Sequence, residues 1–205
     1  MSITKDLPPL PASMRALVTN RFGYPVPWFA RDLDRLSSID VAKRRRALYE
    51  GLCWICGAPR GSRFTFVFGP AQVATRRTTE PPSHPACAAF AVAACPFLIA
   101  PQYRRQAEFR DDVADTHARH NPGCFALWRT RSYRRDGDYL VVGAPVKVDW
   151  FGHGQRADRA AIVAAFEPYR SEIPPEWFAA AMAYLPAEDD RSPARKISTK
   201  RKQIL

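Results

Sequence analysis

Between Phe64 and Phe68 the chain alternates strictly, with three phenylalanines on one side and Thr65 and Val67 on the other, and this period of two predicts a strand with one aromatic face. Gly69-Pro70 breaks it, and Val73 to Thr78 reads as its return in a hairpin. Pro81-Pro82-Ser83 then supplies a stop and an N-cap, and the Ala-rich run from His84 to Ala94 predicts a helix that Pro96-Phe97-Leu98 closes with an apolar plug. Tyr103 to Arg119 predicts a helix dense in both charges, stopped by Asn121-Pro122-Gly123. Alternation returns in Phe125 to Tyr133, Tyr139 to Val142 and Val146 to Trp150, which read as a small antiparallel sheet with an Asp-Gly turn between the first two strands. After the loop Gly152-His153-Gly154, Ala157 to Tyr169 predicts an amphipathic helix with Ile162, Val163 and Phe166 inward. Pro174-Pro175 opens a last helix whose Trp177, Phe178, Met182 and Tyr184 read as a core stripe.

Upstream of the aromatic strand the pattern is less regular. Residues 1–22 are polar and begin Pro-rich, which predicts an extended or disordered segment. Gly23 to Phe29 sets two prolines among aromatics and predicts an extended arm, either packed on the core or offered as a recognition surface through Tyr24, Trp28 and Phe29. Asp40 to Tyr49 predicts a short helix carrying Lys43, Arg44, Arg45 and Arg46. The expected architecture is therefore α+β: a treble-clef-like finger (core 51–98) joined to a small antiparallel sheet and C-terminal helices, in one domain over 23–186, followed by a basic tail over 187–205.

The finger reading comes from the candidate chemistry. Cys53 and Cys56 bracket a tight turn, with Gly57 free to fold the backbone so that amides face the sulfurs. His84 and Cys87 stand three residues apart at the start of the predicted helix, on one face. Thiolates and imidazole suit a borderline-soft cation, so Cys53, Cys56, His84 and Cys87 predict a structural zinc site. Cys95 lies a further roughly 12 Å along a helix axis, too far to share the ion. Five cysteines leave one unpaired in any disulfide framework, and metal-free thiols in a core are the other alternative. A second grouping, His117, His120 and Cys124 with Asp111, Asp112 and Asp115 upstream, reads either as another metal or hydrolytic centre or as histidines at a helix C-terminus that complement its dipole.

Composition adds a charge bias. The net charge is +11, but six basic residues from Arg191 onward leave the preceding residues with 25 basic against 20 acidic, so the body is only mildly basic. Lys43, Arg44, Arg45, Arg46, Arg63, Arg76 and Arg77 are the candidate phosphate contacts, with DNA or RNA as partner, and solvated surface is the plainer reading of each. No stretch approaches the ~20 apolar residues of a membrane span, and a polar start without an apolar run predicts a cytoplasmic protein without a membrane partner. Phosphate-loop, dinucleotide and nucleophile-elbow motifs are missing from the sequence.

Taken together, GYPVPWF, LCWICG, FVFGP, EPPSHPACA, CPFL and NPGCFALWRTRSY resemble a family of small, uncharacterised bacterial and phage-borne proteins, over about Gly23 to Trp150. The resemblance implies a phage or mobile-element setting and zinc ligands at Cys53, Cys56, His84 and Cys87; it implies no activity. The expected function is nucleic-acid binding by a zinc protein. A protein-interaction module with purely structural zinc, docking a host or phage protein, is the alternative. A metal-dependent nuclease fits less well, because 57–83 contains no histidine to act as a base and His84 closes the ligand set.

Overall fold

The aromatic run Phe64–Phe68 is a strand, β1, but its partner is not the segment that follows it. In the computed structural model, which describes residues 7–36, 38–100 and 121–187, β1 pairs antiparallel with β3 (Cys124–Thr130), placing Phe66 opposite Trp128. β3 pairs in turn with β6 (Pro145–Gly152), and β6 with β7 (Gln155–Arg156), giving a four-stranded sheet in the order β1-β3-β6-β7.

The expected return strand is mostly a helix, α2 (Pro70–Thr75). Proline at the first helical position presets φ, and the Gly69 N–H donates to the Gln72 side chain at 2.9 Å, closing the first turn. Ala71, Gln72 and Ala74 favour a helix more than a strand. Arg76, left-handed at φ 53°, ends α2, and only Arg77–Thr78 (β2) is extended. β2 joins β4 (Tyr133–Asp136) and β5 (Tyr139–Val142) in a second, three-stranded sheet of order β2-β5-β4, so the single small sheet expected from the pattern is two. The Asp136-Gly137 turn lies between β4 and β5 as predicted, with Gly137 at φ 60°.

The four-stranded sheet is covered on both faces. On one, Phe66, Phe68, Trp128 and Trp150 pack with Ile162 and Phe166 of α5 (Arg159–Phe166) and Ala181 of α6 (Pro175–Met182). Trp150 donates to the Tyr184 carbonyl at 3.0 Å, which ties the chain beyond α6 to the sheet. On the other, Phe125 and Leu127 meet Ala88 and Val92 of α3 (Pro85–Ala94), with Phe97 and Leu98 of α4 (Pro96–Ile99) packed against them. This is strand alternation with both faces buried: even-numbered β3 residues serve one core, odd-numbered ones the other.

The arm packs on this body. Tyr24 and Val26 are buried, Phe29 stacks on Trp54 at 4.6 Å, and the Trp28 N–H donates to Ile55 at 2.7 Å. Helix α1 (Val41–Tyr49) is capped by Asp40, whose carboxylate accepts from Ala42 and Lys43. Within the segment expected to be extended or disordered, Ala12–Met14 forms a 3-10 turn and Met14 is buried beside Cys53 and Cys87. The predicted charged helix over 103–119, His117, His120 and the basic tail from 188 onward lie outside the described residues.

One buried charge bears on stability. Asp149 on β6 is 6% exposed and is met by Arg156 at 2.7 Å, Arg129 at 3.0 Å and Lys147 at 3.4 Å. Burial works against its ionisation, but the hydrogen bond from Arg156 and the three positive charges hold its pKa below the ordinary carboxylate value. A depressed folded pKa means stability present above the unfolded value and lost as pH falls through the folded one. Asp149→Asn is therefore expected to cost about 1–2 kcal/mol at neutral pH and to weaken the acid-side loss of stability below about pH 4, measured by urea unfolding across that range. Equal stability of the two proteins at neutral pH would contradict this.

Candidate metal centre

The first half of the site is a tight turn closed by its own backbone. The Cys53 N–H donates to Ala58 at 2.8 Å, and the Gly57 N–H returns to Cys53 at 2.9 Å. Gly57 sits at φ 75°, a conformation that side chains disfavour, and a Cβ built there would lie 2.5 Å from the Trp28 ring. The arm thus packs directly on the turn. Backbone N–H groups face the sulfurs as predicted: Cys56 and His84 toward Cys53, Ala58 toward Cys56.

The second half is delivered by the free edge of β1. Thr65 and Ser83 exchange backbone hydrogen bonds at 3.2 and 2.8 Å, which brings the next residue, His84, against the turn. Helix α3 starts at Pro85, one residue later than predicted, because His84 is its N-cap with extended backbone. Cys87 is the third helical residue. The ligand atoms of Cys53, Cys56, His84 and Cys87 all lie within 4.8 Å of one another. His84 Nδ1 is 3.3 Å from Cys56 Sγ and 3.7 Å from Cys87 Sγ. Its Nε2 donates to the Pro59 carbonyl at 2.9 Å, which places the proton on Nε2 and turns the Nδ1 lone pair toward the sulfurs.

Three thiols this close cannot all ionise without a cation. Hydrogen bonds from the Cys56 and Cys87 thiols, with the backbone N–H groups, hold Cys53 far below the usual thiol range. Those same donations to Cys53 push Cys56 and Cys87 up. A soft divalent ion can replace the shared protons, and three thiolates with one imidazole nitrogen are a zinc donor set. The donors fit the ion. Beyond them, the Ser13 hydroxyl donates to Cys87 Sγ at 3.2 Å. Nothing in the local pattern points to Ser13 or to Trp28 as supports of this site.

The remaining cysteines stand apart from the cluster. Cys95 ends α3. Cys124, 3% exposed on β3, has its thiol pushed up to about 11, chiefly by burial and further by the Asp158 charge. At neutral pH Cys124 is expected to resist iodoacetamide in the folded protein; peptide mapping that finds it alkylated as fast as a free thiol would contradict its placement.

The seven basic residues picked from the sequence do not form one set. Lys43 donates to the Ala30 carbonyl at 2.9 Å, and Arg44 to the carbonyls of Thr79 and Asp138 at 2.6 and 2.5 Å, with burial lowering its pKa. Arg46 pairs with Glu50 at 2.8 Å, and Arg77 with Asp136 at 2.9 Å. Arg45, Arg63 and Arg76 are exposed. Arg60, which also adds charge near the turn, is 8% exposed and donates to the Tyr133 hydroxyl at 2.6 Å. His153 occupies the β6–β7 turn at φ 50°.

Fold and cluster together define a mixed α/β protein with antiparallel sheets and a Cys/His group able to hold a metal ion. No helix among the described residues is long and apolar enough to cross a membrane. No family model, curated protein or solved structure matches the chain.

Proposed function

We propose that the protein is a zinc-stabilised, treble-clef-like nucleic-acid-binding protein in which the metal is structural and a basic surface makes the contacts. The observation that carries the metal part of this reading is the convergence of four candidate donors; the nucleic-acid part rests on the exposed Arg45, Arg63 and Arg76 and the positive net charge. A site closed by four protein donors leaves none of the open positions that metal-activated water requires, which argues against a nuclease. Support for the treble-clef part of the reading is the order of tight turn, strand β1 and ligand-bearing helix; helix α2 replaces the second strand of that outline's hairpin. Free cysteines at all five positions suit a reducing, cytoplasmic setting. The phage or mobile-element setting rests on the resemblance of motifs alone.

Metal analysis of the purified protein, followed by shift assays on duplex DNA, single-stranded DNA and RNA across a salt series, tests the proposal. One zinc per chain is expected, with binding that weakens steeply as salt rises and survives removal of 191–205. Zinc without such binding, or binding carried by the tail alone, would favour a protein-interaction module instead.

A further inference from the structure

We infer that Tyr49, with Arg45 and Arg135 beside it, is a stacking platform for an unpaired base of a single-stranded nucleic acid; the inference rests on the nucleic-acid reading above. Tyr49 ends α1 and is 73% exposed, more than any other large apolar side chain described. Exposure of one ring means little by itself. What surrounds this ring is specific. The Arg135 guanidinium lies over it at 4.2 Å. Arg45 and Arg46 precede it by four and three residues on the same helix, which makes them its neighbours on the helix surface.

The platform is held rigidly. Arg44 binds the carbonyls of Thr79 and Asp138, the latter on the same hairpin as Arg135, and so ties α1 to the three-stranded sheet. Asp40 caps the helix start. Of the acidic groups nearby, Glu50 pairs with Arg46, and the charges of Asp138 and Glu80 favour the half-buried Arg44. Arg45 and Arg135 are both exposed, and Arg135 lies over the ring, so positive charge remains beside it.

A ring standing out from a helix end can stack only on a base whose face is not already covered, which excludes the interior of a duplex. Arg45, exposed beside the ring, is placed for a flanking phosphate, and Arg135 stacked on the tyrosine adds a cation to the same π system. An acidic polypeptide would use the arginines and ignore the ring.

The test is fluorescence anisotropy of a labelled oligothymidylate with the full, zinc-loaded chain. Tyr49→Ala is expected to weaken binding by about 5- to 100-fold with melting temperature and zinc content unchanged, and Tyr49→Trp to restore it. Arg135→Ala is expected to weaken binding and to reduce the salt slope by about 0.7. If the unaltered protein binds the oligonucleotide and Tyr49→Ala binds it equally well, the platform is wrong while the nucleic-acid reading stands. Loss of binding in both Tyr49 variants together with a lowered melting temperature would make Tyr49 a packing residue and overturn the inference. Poly-glutamate bound as tightly as the oligonucleotide, with no dependence on Tyr49, would overturn it in favour of an acidic protein partner. An unaltered protein that binds no single strand, duplex or RNA would remove the nucleic-acid reading itself.

Discussion

Replacing Cys87 by serine is expected to abolish stoichiometric zinc and, with it, the folded state of the turn, the arm and the start of α3. Structural zinc contributes an apparent ~10–16 kcal/mol in small zinc domains, as much as the ~5–15 kcal/mol of net stability typical of a whole protein. A serine hydroxyl does not ionise at neutral pH, so the ion would lose a ligand, and Cys53 and Cys56 would return to sharing a proton. Cys87 is also fully buried among Met14, Ile55 and Phe90, so its loss loosens the packing that holds the N-terminal turn. Hydrogen exchange should show amides of 53–58 losing protection before those of β3 and β6, whose core around Trp128 is separate. Cys95→Ser serves as control, with metal and melting temperature retained. A Cys87→Ser protein that carries one zinc and melts normally would exclude Cys87 as a ligand.

Gly57→Ala is expected to damage the site severely while leaving every ligand in place. The left-handed backbone costs a side chain about 1–2 kcal/mol, and the new methyl would meet the Trp28 ring at 2.5 Å. Trp28 cannot easily withdraw, because its backbone is bonded to Ile55 and its ring is flanked by Lys43 and Arg46 at 5.9 and 5.8 Å. Either the turn opens or the arm lifts, for a total of about 3 kcal/mol. Because the site forms with the fold, that loss should appear as roughly a hundredfold weaker zinc binding in competition with a chelator, alongside a lower melting temperature. Trp28→Ala combined with Gly57→Ala should recover part of the affinity by removing the clash. No recovery would place the whole cost in the backbone.

The Cys/His cluster was legible because its signal is local. Residue type and short spacing, 53 to 56 and 84 to 87, define the donors whatever path the chain takes between them. β1 was legible for the same reason, since its alternation is contained in five residues. Its partner was not: the choice between Val73 to Thr78 and β3 is made by which segment buries Phe66 against Trp128 over a gap of some sixty residues, and no local pattern encodes it. A short apolar run beginning with Pro70 is open to either reading until Gln72 closes the helical turn. The basic cluster shows a different limit. Lys43 to Arg46 read as a run that a helix must fan, but which members turn inward is set by the carbonyls that Lys43 and Arg44 meet, leaving Arg45 facing out. Charge can be counted in a sequence; direction cannot.

The contact between Ser13 and Cys87 spans 74 residues. During synthesis at roughly 5–20 residues per second, the turn at Ala12–Met14 is made several seconds to about a quarter of a minute before the cysteine it rests on exists. Met14 has no niche to occupy in that interval, since Phe90 and Cys87 are still unmade. The earliest described turn of the chain thus settles only once α3 has been made, and a reporter placed near it would signal closure of the Cys/His cluster, ahead of the sheet that β3 and β6 build later.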